Sequence, residues 1–283
     1  MRTAVHFVPI VTTVVSFAFA GVVMARWMDR RATHLLWWAI GLLTFGAGTI
    51  TESATTLLGW HEPVFRAWYI TGALLGGAPL AQGSVYLHLP RRTANWLTAI
   101  VATVVVVASV CVIQSPIDYA LVEPFRLSGK VLEWRWVRLF SPFINLYAVI
   151  FLVGGAIVSA IRYKRTRETY HRFVGNVYVA IGAILPGIGG TFTRFGHTEV
   201  LYVTELIGLL LIYRGYRLNV AGTGDAGWGM RDAETPRSGR VSGRWLSSNA
   251  EALVAHPESR LPNPDPRVPR NESLVPSSRP GNC

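Results

Sequence analysis

Gly46-Ala47-Gly48-Thr49-Ile50-Thr51-Glu52-Ser53 is the stretch on which the reading of this chain turns. It lies inside an apolar segment, 34–59, that is long enough to cross a bilayer, since about 20 residues suffice at 1.5 Å per residue. A carboxylate among glycines and threonines in such a segment is costly unless it faces other protein groups, so it marks a candidate site. Gly41, Thr44, Gly48, Glu52 and Thr55 recur at helical spacing. They form a small, polar stripe that admits a neighbouring helix and turns Glu52 toward the bundle.

Composition agrees with a membrane setting. Of 283 residues, 51% are hydrophobic and 15% charged, with a net charge of +11. Soluble domains carry about 25% charged residues. The basic residues sit in short connections between apolar runs, which argues for membrane orientation and against nucleic acid as a partner. Seven segments of spanning length are expected: 5–26, 34–59, 64–89, 94–114, 138–161, 173–194 and 199–216. Arg26, Arg30 and Arg31 follow the first one, so it reads as an uncleaved helix despite Ala18-Phe19-Ala20, which resembles a signal-peptidase site. Arg91, Arg92, Arg162, Lys164, Arg165, Arg167, Arg172, Arg214 and Arg217 fall on the same side as Arg26. The positive-inside rule then places the N-terminus outside and the C-terminus inside, in a plasma (inner) membrane of bacterial type.

The expected fold class is an all-α integral membrane protein, a seven-helix bundle over residues 1–218. From Asn219 to Cys283 the chain turns rich in Gly, Pro, Ser and Arg. It lacks the apolar surface to offset its ordering entropy and reads as a disordered cytoplasmic tail. The longest loop, 115–137, is interrupted by Pro116, Pro124 and Gly129. A solvated connector is the expected form, with Val131–Trp136 on the membrane surface.

A repeat runs through the apolar segments. Gly48-Thr49-Ile50-Thr51-Glu52 in the second matches Gly190-Thr191-Phe192-Thr193-Arg194 in the sixth, and Tyr69-Ile70-Thr71 in the third matches Tyr202-Val203-Thr204 in the seventh. Arg26-Trp27 and Arg162-Tyr163 close the first and fifth. The order implies a parallel 3+1+3 arrangement, and parallel repeats in transporters place their site at the repeat interface.

Two carboxylates fall within spans. Glu52 lies about 12 Å below Trp60 and Glu205 about 10 Å below Thr198, on the outer side in both cases. Arg66 and Arg194 are at matching depth, which makes Glu52–Arg66 and Arg194–Glu205 the expected ion pairs. With Tyr69 and Tyr202 these residues form the candidate ligand or ion pocket. Pro79 and Pro186 are expected to kink their helices. His61 and His197, with Glu62 and Glu199 beside them, are weak candidates for a metal site and lack any HxxxH or HExxH spacing. No catalytic residue and no cofactor is assigned.

Retinal linkage is excluded, because Lys130 and Lys164 are the chain's lysines and both lie outside the spans. No phosphate loop, dinucleotide fingerprint or nucleophile elbow is present. The gross layout resembles the seven-span input modules of bacterial sensors. The expected function is therefore a receptor or sensor-like module that binds a small polar or charged ligand in an outer-leaflet pocket and acts on an inner-face protein partner. The alternative is a small-solute carrier, proton-coupled through Glu52 or Glu205. An intramembrane enzyme using the two glutamates as acid and base is the third reading.

Overall fold

A computed structural model describes residues 4–164, 169–193 and 195–221. The described part is all-helical, with two isolated bridges, Ile117 to Leu132 and Glu123 to Arg126, and no named strand. In order, the helices are α1 (Val8–Arg30), α2 (Thr33–Leu58), α3 (Glu62–Trp68), α4 (Ala78–His88), α5 (Arg91–Gln114), α6 (Phe140–Ala148), α7 (Gly154–Tyr163), α8 (Tyr170–Thr193) and α9 (Thr198–Ala221). The stretches Val5–Arg30, Thr33–Leu58, Arg91–Gln114, Arg135–Tyr163 and Tyr170–Thr193 are long and apolar enough to cross a membrane. Five such helices are consistent with a multi-pass membrane protein, where seven segments were expected.

The other two expected segments differ for physical reasons. Segment 64–89 is not one helix. It breaks into α3, a wide π-helical turn over Tyr69–Leu74, and α4. Gly72, Gly76 and Gly77 weaken the helix there, and Pro79 suits the first turn of α4, where a missing N–H costs nothing. The break frees backbone carbonyls that hydrocarbon cannot satisfy. Hydroxyls from neighbouring helices do so: Ser141 donates to Ala73 O at 3.0 Å and Thr44 to Leu75 O at 3.4 Å. The seventh segment is a continuous 24-residue helix, α9, but carries Glu199, Glu205, Arg214 and Arg217. Pro186, by contrast, lies inside an unbroken α8.

Glycines set how closely helices approach. A methyl at Gly48 would lie 3.0 Å from Gly72 Cα, so α2 meets the π turn backbone to backbone. Between α8 and α9, a methyl at Gly182 would lie 2.6 Å from Gly208 O, and one at Gly175 would lie 2.9 Å from Gly215 O. Sevenfold spacing along both helices keeps these contacts on one seam. Helix α1 packs on α2 and α9. There Ser16 donates to Leu42 O and Thr13 to Thr49 Oγ1, both at 2.8 Å.

The 115–137 loop is a packed cap, not a solvated connector. Asp118 N–H donates to Val131 O at 2.8 Å and Trp60 N–H to Pro124 O at 2.8 Å. Ile117, Leu127, Val131, Leu132 and Val137 are buried in one cluster with Phe65, Tyr69 and Val112. Val131 and Leu132 are thus core residues of the cap and do not lie on a membrane surface. At the other boundary, Asn219–Ala221 are helical, and Asn219 is buried with its amide donating to Gly215 O at 3.0 Å. The tail expected to be disordered lies, from residue 222, outside the described residues.

The glycine seam makes a direct prediction. Gly208→Ala should destabilise the protein by about 1–3 kcal/mol, as overpacking against backbone does. Gly187→Ala, whose added methyl meets nothing within 4 Å, should change stability by less than about 0.5 kcal/mol. Thermal or denaturant unfolding in detergent compares the two.

Candidate functional site: a buried carboxyl pair beneath a capped end

Glu52 is 4% exposed, on the face of α2 that the small-residue stripe turns inward. Trp68, the last residue of α3, donates its indole N–H to Glu52 Oε1 at 3.0 Å. The Glu205 carboxyl, from α9, faces Glu52 within hydrogen-bonding reach. Oε2 of each is sealed from solvent and meets no donor among the described residues. A proton on either carboxyl completes a hydrogen bond between the two. Such a proton would join α2 to α9, and two carboxyls so placed are coupled rather than independent. Tyr202, one turn before Glu205, is 4% exposed and within electrostatic range of both carboxyls. Tyr69 is equally buried, but it packs against Phe65, Trp68 and the cap, where a methyl on Gly129 would lie 2.9 Å from its ring.

The expected ion pairs take a different form. Arg66 does not reach for Glu52. It bonds Glu62 Oε1 through Nε at 2.9 Å and Nη2 at 2.7 Å, and its guanidinium also donates to Val112 O and Ser115 O. The reason is geometric. Glu62 is one helical turn away on α3, and the free carbonyls at the end of α5 offer acceptors at the same level. Arg194 lies outside the described residues, so its expected pairing with Glu205 falls there too. His61 and His197 do not assemble a metal site: among the described residues no three His, Cys, Asp or Glu side chains come within metal-binding range. His61 Nδ1 instead lies 3.2 Å from Gly59 O.

Three residues that pattern reading did not single out complete this end. Trp68 lies in the first turns of the 64–89 segment, where a tryptophan ordinarily marks a membrane interface. Tyr119, from the cap, donates to Glu62 Oε2 at 2.6 Å. Arg126, also from the cap, donates to Thr193 O at the end of α8 at 2.8 Å and to Glu123 Oε1 at 3.1 Å. Nothing in residue type or spacing marks contacts made 57 and 67 positions apart. The cap is thereby tied to α3 through Tyr119 and to α8 through Arg126.

The comparisons add no kinship: no protein-family model, curated protein or solved structure matches the chain.

Two predictions follow from the geometry of this end. Trp68→Phe leaves the Glu52 acceptor short of a donor and should cost about 1–3 kcal/mol of unfolding free energy, measured in detergent. The Tyr119 hydroxyl and then the Arg66 guanidinium hold the Glu62 carboxyl below the usual carboxylate range. A depressed carboxyl contributes its stabilisation above its unfolded pKa and loses it as pH falls through the folded value. Cap attachment should thus loosen below about pH 4, the ordinary glutamate range. Hydrogen exchange at residues 117–124 should rise there, and Tyr119→Phe should shift the onset to higher pH.

Proposed function

We propose that this protein is a non-enzymatic, receptor- or sensor-like membrane module whose state is set by the proton shared between Glu52 and Glu205. In this reading all seven helical segments span, with the third broken and α9 carrying its charges inward, the N-terminus outside and the C-terminus inside a bacterial plasma membrane. The observation that carries the proposal is the carboxyl pair itself. It links two helices from opposite ends of the chain, beneath a cap that the positive-inside rule puts outside. Buried ionisable groups in a span are expensive, and a pair with unfilled hydrogen-bonding capacity fits a switch better than a fixed strut. Thr56 Oγ1 and Trp60 Nε1, one and two turns from Glu52, are likewise buried without a partner among the described residues. They extend a polar line from the carboxyls toward the capped end, along which a proton or a small polar ligand would arrive. The basic 162–172 loop and the tail are the surfaces offered to an inner-face protein partner.

The same reading includes a two-half design built on the parallel repeat expected from the sequence. Thr51 donates to Gly48 O at 2.6 Å and Thr193 to Gly190 O at 2.7 Å, the same bond at matching positions. Tyr69 and Tyr202, also matched, are both 4% exposed. One observation favours the carrier as a second reading: a cavity of about 80 Å³ lies in the half of the molecule away from the cap, among α1, α2, α4 and α7–α9. Closure at one end with space at the other is the arrangement an inward-facing carrier needs.

Reconstitution in liposomes separates these. Spin labels on α2 and α9 should report a distance change as external pH is varied. Glu52→Gln and Glu205→Gln should each abolish it. An unchanged pH response in both variants would sink the shared-proton proposal. Proton flux accompanying the change, lost in the same variants, selects the carrier; a distance change without flux selects the sensor.

A further inference from the structure

The cavity away from the cap is polarised along its length. Its deep end is apolar, lined by Phe19, Val23, Leu42, Leu80, Val179 and Ile212. Its other end, at the termini of α4, α7, α8 and α9, gathers His88, Ser159, Tyr163, Arg172, Asn176 and Asn219. The polar groups there are held in place. His88 lies 2.8 Å from Ser159 Oγ through Nε2 and 2.8 Å from Ser84 O through Nδ1. Asn176 donates to Arg172 O at 2.8 Å and to Asn219 Oδ1 at 3.3 Å.

Arg172 is the exception. Its guanidinium lies over the Tyr163 ring, 5.5 Å from the centroid. Its Nε is buried without a hydrogen-bond partner, and among the described residues no carboxylate pairs with it. A guanidinium keeps its charge at any relevant pH and presents five donors in a planar fork suited to carboxylate or phosphate. Partly buried, with its Nε sealed from solvent and no carboxylate partner among the described residues, it is an incompletely satisfied charge. Its place in the first turn of α8 adds the favourable end of a helix dipole for an anion. Apolar walls with a few convergent polar groups are the ordinary construction of a small-molecule site.

We infer that this cavity binds a single-chain anionic amphiphile, its carboxylate or phosphate head on Arg172 and its apolar chain running between α1, α2, α4 and α9. The head lies at the polar end of the cavity beside His88, Asn176 and Asn219, at the termini of α4, α8 and α9. The site is separate from the Glu52–Glu205 pair and stands whether or not that pair is a switch.

Trp38 lines the cavity and supplies the readout. Full-length protein in nanodiscs of zwitterionic lipid is titrated with 11-bromoundecanoate, and tryptophan quenching is followed. The expected result is a saturable component that Trp38→Phe removes, that 11-bromoundecanol does not reproduce, and that Arg172→Gln shifts about tenfold to higher concentration, the effect of losing a charge-assisted pair. Bromoundecyl phosphate should quench as the carboxylate does, and inorganic phosphate alone should not compete. Equal quenching by the alcohol, or a component that persists in Trp38→Phe, would overturn the assignment. Competition by inorganic phosphate would replace it with a simple anion site. The comparison of acid with alcohol uses the wild-type chain and so holds even where Arg172→Gln does not fold.

Discussion

Hydrocarbon offers no partner to a polar group, and the described structure is arranged around that constraint. Where a helix is continuous, its own ladder meets the need. Where it breaks, at the π turn after α3, the freed carbonyls are met by Ser141 and Thr44 from other helices. The constraint bears hardest on Glu52. It has a tryptophan N–H on one oxygen and a second carboxyl facing it, and it is 4% exposed. The stripe of small residues on α2 is what makes this possible. Gly48 lets the π turn come to within backbone contact, and that approach brings Trp68 onto the carboxyl.

The two ends of the helical unit are built differently. At the cap, the loop between α5 and α6 folds onto α3 with its own buried cluster and ties down through Tyr119, Arg126 and Trp60. Backbone hydrogen bonds and apolar burial hold it there, so its few exposed charges serve as local clasps. At the other end, helix termini converge on a space that keeps a guanidinium with no carboxylate partner among the described residues beside asparagines and a histidine. The glycine seam between α8 and α9 runs between these ends and holds the two helices in close backbone contact. A change in the protonation of the carboxyl pair would act on α9, which also lines the distant cavity.

Much of this was legible in residue order. Apolar segment lengths and the inward face of Glu52 followed from composition and helical spacing. The similar depth of Glu52 and Glu205 followed from rise per residue. The pairing of charges did not follow, because Arg66 had a nearer carboxylate one turn away and free carbonyls at the end of α5. Continuity of the third segment also failed as an expectation. Its apolar content was sufficient, but three glycines left the local helix too weak to resist a π turn once neighbouring hydroxyls could meet its carbonyls. The loop looked polar enough to be solvated, since its apolar residues are scattered in sequence and gather only when the chain turns back on itself at Ile117 and Leu132.

By itself, the sequence determined what is local and additive: which stretches are apolar, which face of each helix is small or polar, and where the basic residues concentrate. These depend on residue type and on the fixed geometry of the helix. Only the tertiary structure decided which partners meet. Trp68 on Glu52, Tyr119 on Glu62, Arg126 on Thr193 and the space beside Arg172 all depend on contacts between distant segments. Such contacts are set by how closely backbones approach and which alternatives are nearer, and no single segment contains that information.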